Sequence, residues 1–217
     1  MPRTERDYVS LSCLCVGVGP GGTTSMLAYD ALFLSKLILA WTLFYSVLCS
    51  RVAVVSWFGN VQFESFVSPG THVVTDYRTS ITGITEQHLN SSEAQPFNAV
   101  QQRVSELIKG KVLIGHCLWN DLSVLGIPHP AVDTRDVALY MPFRNGLKAQ
   151  QMVGLPTLMW NLMTREIQQA GEHIHPVENA RAVMDLYRSY NGPWESAIDK
   201  GNWPCILPPS TFSRCYT

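Results

Sequence analysis

The segment from residue 112 to residue 122 reads Val-Leu-Ile-Gly-His-Cys-Leu-Trp-Asn-Asp-Leu. Its three aliphatic residues predict a buried strand, and the glycine that follows them ends the run. The next residues, from His116 to Leu125, predict a short helix. A buried strand that is followed at once by a helix is typical of an α/β protein.

Three strands are predicted before this segment. Residues 8–16 are rich in β-branched and aliphatic side chains and stop at a turn of glycines and a proline that begins at Gly17. Residues 51–58 and 61–67 flank Gly59-Asn60, a dipeptide that favours the tight turn of a β-hairpin. The chain therefore begins with strands rather than with helices.

Helices alternate with strands in the second half of the chain. Apolar residues recur at helical spacing between Pro96 and Gly110, and a short strand is predicted at residues 132–136. Further helices are predicted at residues 155–168 and 176–191, each with a proline near its start. Successive strands that are followed by alternating strands and helices predict a mixed sheet flanked by helices.

Length and composition indicate one globular domain. The chain has 217 residues, of which 46% are hydrophobic, and we predict a domain at residues 6–192 and an irregular extension at residues 193–217. The net charge of −1 excludes nucleic-acid binding through overall charge alone, so any such contact must be local. The six cysteines form no CxxC pair and the first residues do not form a signal peptide, which favours an intracellular protein of the nucleus or cytoplasm.

An apolar segment at residues 29–50 does not fit this pattern. It carries only Asp30 and Lys36 as charges and approaches the length of about 20 residues that spans a bilayer. A membrane span would separate strands that must pair, so a membrane partner is not expected. Without the segment, Ser25–Ala28 would join Arg51–Val55 in one strand, which favours an insertion, either an unspliced intron or a late insert. A helix that is buried or faces a partner is the alternative.

Four motifs resemble those of the DEDDh 3′–5′ exonucleases, in particular of the RNA exonuclease 4 type. They lie at residues 8–22, 74–84, 112–122 and 176–181, in the order found in that family. The Gly-His-x-Leu-x-Asn-Asp-Leu motif and the Thr-Asp-Tyr-Arg-Thr loop are specific to this type. The resemblance implies a ribonuclease-H-like fold and hydrolysis of RNA or DNA from the 3′ end with two Mg²⁺ or Mn²⁺ ions.

The resemblance also implies metal ligands, most of which this chain lacks. The family's Asp-x-Glu pair on strand one falls on Ser12 and Leu14, its Asp on the last helix falls on Asn179, and only Asp121 keeps its carboxylate. Two divalent cations about 4 Å apart repel each other, and several carboxylates are needed to offset that repulsion. We therefore expect Asp121 and Asn179 to bind Mg²⁺ or Mn²⁺ weakly and hydrolysis to be lost or strongly impaired.

The histidine that serves the family as general base falls on Ile174. His173 and His175 flank that position, and a shift of one residue would bring either histidine into the place of the base. Both are therefore candidate catalytic residues. Each could equally be a solvated loop histidine, and Asp121 could be a helix-start carboxylate that accepts hydrogen bonds from backbone N–H groups.

Nucleic-acid contacts are expected at the Thr-Asp-Tyr-Arg-Thr loop. Tyr77 could stack on a base and Arg78 could pair with a phosphate, although a purely structural loop is an equal alternative. The resemblance adds His116 and Asn120, from the Gly-His-x-Leu-x-Asn-Asp-Leu motif, to this surface.

Four functions stay open on the sequence alone. The first is a pseudoenzyme of the exonuclease family that still binds single-stranded RNA or DNA. The second is an interaction scaffold with a protein partner, and the third is an enzyme repurposed to other chemistry, for example in a biosynthetic pathway. The fourth is an active exonuclease with ligands from Asp7, Asp185 or Glu178. Alternation along the strand puts Asp7 on the face opposite Ser12, which weakens the fourth.

Overall fold

The computed structural model describes residues 4–18 and 47–217 of the chain. Within these residues, seven strands form one sheet. The strands are β1 Tyr8–Val18, β2 Val47–Ser56, β3 Val61–Ser68, β4 Val74–Asp76, β5 Gln95–Pro96, β6 Val112–Gly115 and β7 Thr134–Asp136. The α-helices are α1 Thr79–Thr82, α2 Glu86–Leu89, α3 Phe97–Ile108, α4 Leu118–Leu125, α5 Met141–Gly146, α6 Leu155–Met163 and α7 Pro176–Asp199.

The sheet is mixed, with β1 near its centre. The strand order is β5-β3-β2-β1-β6-β7, and β4 pairs with the end of β1. Pairing is antiparallel from β1 to β2 and from β2 to β3, and parallel from β1 to β6 and from β6 to β7. The predicted mixed sheet flanked by helices is therefore confirmed.

Strand β1 is buried along almost its whole length because helices cover both faces of the sheet. On one face, Val9 and Leu11 lie in a core cluster with residues of α3 and α4. On the other face, the Ser10 hydroxyl donates a hydrogen bond to the backbone oxygen of Ala180 in α7, at 2.7 Å. Neighbouring side chains of a strand point to opposite faces, so Ser10, Ser12 and Leu14 share the face that carries α7.

Antiparallel pairing sets rows of side chains across β1, β2 and β3. Leu14 pairs with Arg51, and Arg51 pairs with Phe66. In the next row, Ser12 pairs with Ala53. Directly paired residues of an antiparallel sheet have their side chains on the same face. Ser12 and Leu14 therefore have β2 side chains as direct neighbours on this face, and the β3 side chains lie one strand further away.

The last residues of the predicted insertion form part of the sheet. Residues 47–50 belong to strand β2, where Cys49 and Ser50 are buried and the Ser50 hydroxyl donates a hydrogen bond to the Leu14 backbone oxygen, at 2.9 Å. These pairings make the last four residues of the segment part of the sheet. Residues 29–46 lie outside the described residues. In the part of the chain that is described, no helix combines the length and the apolar character that a bilayer crossing requires.

The predicted irregular extension at residues 193–217 is wrong in its first part. Helix α7 continues through Pro193 to Asp199, and Trp194 is fully buried. The Trp194 ring stacks on Tyr140, with ring centroids 3.8 Å apart. Burial of this large ring offsets the backbone hydrogen bond that a proline removes from a helix interior. Helix α6, in contrast, ends at Met163, earlier than predicted, because the chain leaves the helix at the next residue with φ of 51°.

Candidate functional site

Three of the four motifs meet around the middle of β1. Strand β1 supplies Ser12 and Leu14, and α7 lies on the same face, where its Ala180 backbone accepts the Ser10 hydroxyl. At the other side of the strand, the backbone of Cys13 lies near enough to the Asp121 carboxyl of α4 to lower its pKa. The structure thus brings together the positions that the resemblance assigned to metal ions.

Leu14 lies in an apolar cluster, which we call the cleft cluster. Its buried members are Leu14, Val16, Ile84 and Leu89, and the partly buried residues against it are Leu48, Phe66, Val74, Tyr77 and Ile174. Ile174 is held there by its backbone N–H, which donates to the backbone oxygen of Ile81 at 2.8 Å. The position of the family's strand-one glutamate and that of its general base are therefore both occupied by hydrocarbon in one cluster.

Asp121 is half-buried in the first turn of α4. Burial raises the pKa of its carboxyl well above the usual value, the nearby Asp136 raises it further, and the backbone of Cys13 opposes this shift. Burial has this effect because it disfavours the charged form of a carboxyl. Asp121 is the one position of the four where this chain keeps the acidic residue.

Asp136, at the end of β7, was not among the predicted site residues. Its carboxylate accepts hydrogen bonds from the backbone N–H groups of Cys117 at 3.0 Å, Leu118 at 2.7 Å and Ala138 at 2.9 Å. Burial raises the pKa of Asp136 to about 7, and these three hydrogen bonds oppose that shift. An acid at the end of a short strand was the available signal, but two of its three partners, Cys117 and Leu118, come from a distant part of the sequence.

Ser12 and Asn179 are the residues that the resemblance puts at two further metal positions. Ser12 is buried on β1. The side-chain oxygen of Asn179 accepts a hydrogen bond from the Gln168 side-chain amide, at 2.8 Å. A neutral amide oxygen that already accepts a hydrogen bond is a weaker metal ligand than a carboxylate.

A pair of divalent cations does not fit these residues. The described residues contain no group of three or more His, Cys, Asp or Glu side chains that could hold a metal ion. Hard cations such as Mg²⁺ require oxygen ligands, and the cleft cluster offers hydrocarbon at Leu14. Of the implied ligands, Asp121 could contribute a carboxylate oxygen, Asn179 an amide oxygen and Ser12 a neutral hydroxyl oxygen, so one negative charge is available among them.

His175 precedes α7 and faces an arginine and a glutamate. The Nη2 atom of Arg51 lies 2.6 Å from Nε2 of His175 and 2.6 Å from Oε1 of Glu64. A guanidinium can only donate, so Nε2 must accept and the imidazole is neutral. Burial and the charge of Arg51 lower the pKa of His175. In that tautomer Nδ1 carries the ring proton, so it cannot also accept from the Val177 backbone N–H that lies 3.3 Å away.

His173 occupies a different place from His175. It is exposed, and its imidazole covers Gly83, where a Cβ atom would lie 2.7 Å from the ring. Gly83 has φ of 69°, so both the close approach and the backbone conformation favour glycine. The ring of His173 therefore packs on the loop that follows α1, while His175 contacts β2 and β3.

The predicted nucleic-acid contacts lie on two loops. Tyr77 is half-buried against the cleft cluster, and burial, with a smaller contribution from Glu86, raises the pKa of its hydroxyl. Arg78 has φ of 53°, its backbone N–H donates to Asp76 at 2.8 Å, and its Nη1 atom donates to the backbone oxygen of Cys15 at 3.4 Å. The Thr-Asp-Tyr-Arg-Thr loop is thus fastened to the end of β1.

The other two predicted contacts flank the start of α4. His116 Nε2 donates to the backbone oxygen of Val153 at 2.7 Å, and burial lowers the pKa of its ring. Asn120 is half-buried in the first turn of α4. This hydrogen bond gives His116 a structural role, because it links the end of β6 to the segment before α6.

Arg51 and Glu64 were also missed from the sequence. Arg51 lies in a strand of otherwise apolar and small residues, and its guanidinium carbon lies 4.7 Å from the centre of the Phe66 ring. A charge inside an apolar strand was the available signal. Its partners could not be named, because they depend on the register of β2 with β3 and on where α7 begins.

Known proteins are similar to this chain over most of its length, although no protein-family model matches it. RNA exonuclease 4 of Xenopus laevis is 35% identical over 210 residues, which cover 95% of this chain and 42% of the relative. The apoptosis-enhancing nuclease of Homo sapiens is 34% identical over 200 residues, which cover 91% of this chain and 54% of the relative. The chain thus spans about half the length of such relatives.

Solved structures share the fold. The Pan2 pseudoubiquitin hydrolase-RNA exonuclease module of Saccharomyces cerevisiae, in complex with AAUUAA RNA, superposes with a TM-score of 0.66 at 21% identity, over 90% of this chain and 30% of that one. The Neurospora crassa Pan2 catalytic unit superposes with a TM-score of 0.63 at 18% identity, over 93% of this chain and 29% of that one. The ribonuclease-H-like fold is therefore confirmed. Together with the motifs around β1 and the identity to RNA exonuclease 4, it establishes that the chain belongs to the DEDDh exonuclease family, RNA exonuclease 4 type.

Proposed function

We propose that this chain binds single-stranded RNA or DNA in the cleft beside β1 and has lost, or nearly lost, metal-dependent hydrolysis. The observation that carries the proposal is the packing of Leu14 and Ile174 in one apolar cluster. Both residues stand where active members of the family need a charged or titratable group. Hydrocarbon at these two positions leaves neither a second carboxylate for the metals nor an imidazole for the attacking water.

Electrostatics argue against two cations in this cleft. Two divalent ions about 4 Å apart repel each other by ~4 kcal/mol even at the dielectric constant of water, and by more inside a protein. With Ser12, Leu14 and Asn179 at three of the four positions, Asp121 is left to offset that repulsion. Binding of Mg²⁺ or Mn²⁺ at Asp121 and Asn179 is accordingly weak in this proposal.

The histidines do not replace the missing base. A general base needs a lone pair that is free to take a proton, and the Nε2 lone pair of His175 accepts from Arg51. His173 is exposed and lies over Gly83. In this proposal His175 therefore orients Arg51 at the start of α7, and His173 packs the neighbouring loop.

Nucleic-acid binding is supported by the relatives and by the loops around the cleft. Several relatives are named RNA exonuclease, and a structural neighbour is described in complex with RNA. Tyr77 and Arg78 supply an aromatic ring and a cation beside the vacated metal positions, a pairing suited to bases and phosphates. The six cysteines are free thiols, which supports a reducing compartment, the nucleus or the cytoplasm.

The proposal is tested with fluorescently labelled single-stranded RNA and DNA incubated with the chain and Mn²⁺. Gel-shift binding without shortening of the strand is expected. A matched variant carries Ser12→Asp, Leu14→Glu, Ile174→His and Asn179→Asp, and trimming should appear only there. Rapid metal-dependent trimming by the unmodified chain would contradict the loss of catalysis, and absence of binding to either nucleic acid would favour the protein-interaction scaffold.

A further inference from the structure

A cation lies directly beside the lost metal ligands. Arg51 pairs with Leu14 across β1 and β2, so its side chain leaves the same face of the sheet next to the position of the family's glutamate. The Arg51 side chain is 19% exposed, and its partner Glu64 is 30% exposed. The wall of the cleft therefore carries a guanidinium that is in reach of a ligand.

The loss of carboxylates changes what a phosphate meets in this cleft. In a site with four carboxylates, a phosphate is repelled unless bound cations offset the negative charge. Ser12, Leu14 and Asn179 remove three of those negative charges. Without those carboxylates, most of the repulsion between the cleft and a phosphate is gone. A phosphate can then enter the cleft without metal ions.

The guanidinium of Arg51 keeps donor capacity beyond its protein partners. Of its five N–H groups, those of Nη2 face Glu64 and His175. Nε is buried and has no hydrogen-bond partner among the described residues. Because Nε is buried, the N–H groups that an incoming oxygen can meet are those of Nη1, which make no hydrogen bond with the described residues. Phe66 covers one face of the guanidinium, which leaves its edge for an incoming oxygen.

We propose that Arg51 binds a phosphate at the 3′ end of single-stranded RNA or DNA directly, so that nucleic acid occupies this cleft without Mg²⁺ or Mn²⁺. The inference rests on the proposed nucleic-acid binding and names the group that replaces the metals in it. Glu64 competes with the phosphate for the same guanidinium, since its Oε1 atom lies 2.6 Å from Nη2. Bound phosphate displaces this half-exposed carboxylate toward solvent.

Because phosphate and Glu64 compete for Arg51, removing Arg51 and removing the charge of Glu64 should change the Kd for RNA in opposite directions. Fluorescence anisotropy with single-stranded RNA measures Kd in EDTA and in Mg²⁺ for the unmodified chain, Arg51→Gln and Glu64→Gln. The expected Kd of the unmodified chain is the same in EDTA and Mg²⁺. Arg51→Gln should raise Kd about tenfold, the loss of one charge-assisted contact, and Glu64→Gln should lower Kd about threefold. Arg103→Gln is the matched control, because Arg103 is 52% exposed on α3 and should leave Kd unchanged.

Salt dependence separates a phosphate contact from a structural role of Arg51. Arg51→Gln should reduce the slope of log Kd against log salt by about 0.7, the value for one phosphate contact on a single strand. Arg51→Lys should retain most of that slope because it keeps the charge. An unchanged Kd for RNA in Arg51→Gln, or RNA binding that EDTA abolishes, would overturn this inference and leave the proposed function standing. Absence of RNA binding by the unmodified chain would overturn both.

Discussion

The two sides of the cleft differ in what their polar positions do. On the α4 side, Asp136 accepts three backbone hydrogen bonds and His116 donates to the Val153 backbone. On the side formed by β1 and the start of α7, Leu14 and Ile174 pack as hydrocarbon. The difference teaches that a carboxylate with backbone hydrogen bonds, Asp136, is kept, whereas two positions that the resemblance assigns to catalysis, Leu14 and Ile174, carry hydrocarbon.

The largest expected effect lies on the α4 side. Asp136→Ala should lower the free energy of unfolding by about 3 kcal/mol or more, because three buried N–H groups lose their acceptor and each such loss costs about 1–3 kcal/mol. Urea denaturation measures the change. Glu106→Ala is the matched control, since Glu106 is 54% exposed on α3, and it should cost less than about 1 kcal/mol. Equal losses of unfolding free energy in the two variants would mean that Asp136 stabilises the fold no more than an exposed surface carboxylate does.

A smaller loss of stability is expected when a carboxylate is introduced at Leu14, on the side formed by β1 and the start of α7. Leu14→Glu should lower the free energy of unfolding by about 2–4 kcal/mol at neutral pH, because it places a carboxylate within the cleft cluster. The loss should shrink at acidic pH, where the new carboxyl is protonated. Thermal or urea unfolding of Leu14→Glu beside Leu14→Met tests this, since the methionine keeps the volume and adds no charge. A Leu14→Glu variant as stable as Leu14→Met would mean that the position is still prepared for an anion.

The smallest expected effect concerns His175 and pH. Its pKa is lowered in the folded chain by burial and by Arg51, so between that pKa and the ordinary value of about 6.5 the unfolded chain binds a proton that the folded chain does not. The contribution is fully present above about pH 6.5 and is lost as the pH falls. His175→Gln should therefore flatten the acid side of the stability profile, modestly because the side chain is 41% exposed. The exposed His72 serves as control, and an identical profile for His175→Gln and His72→Gln would contradict the contact with Arg51.

Local patterns in the sequence were sufficient for most of the fold. Strand β1, the β2–β3 hairpin, β6 and α3 follow from alternation, turn residues and helical spacing. The end of α7 was wrong because Pro193 suggests a break, whereas the burial of Trp194 against Tyr140 is a tertiary contact. The beginning of β2 was wrong because the residues at 47–50 continue an apolar run that hides a strand boundary.

The candidate site was predictable only where it rests on motifs. Ser12, Leu14, Asp121 and Asn179 were assigned from the order of the motifs, and the structure brings them around β1. The contact of Arg51 with Glu64 and His175 joins three elements that are far apart in sequence, so it needs the strand register and the position of α7. The partners of Asp136 were hidden for the same reason, because an acid in a strand does not indicate which N–H groups it will meet.

The central claim is that this cleft cannot hold two divalent cations, and calorimetric titration of Mn²⁺ tests it most directly. The unmodified chain is compared with a variant that carries Ser12→Asp, Leu14→Glu and Asn179→Asp. Saturable binding of two Mn²⁺ ions per chain is predicted for the variant and not for the unmodified chain. Tight binding of two Mn²⁺ ions by the unmodified chain, abolished by Asp121→Asn, would contradict the account.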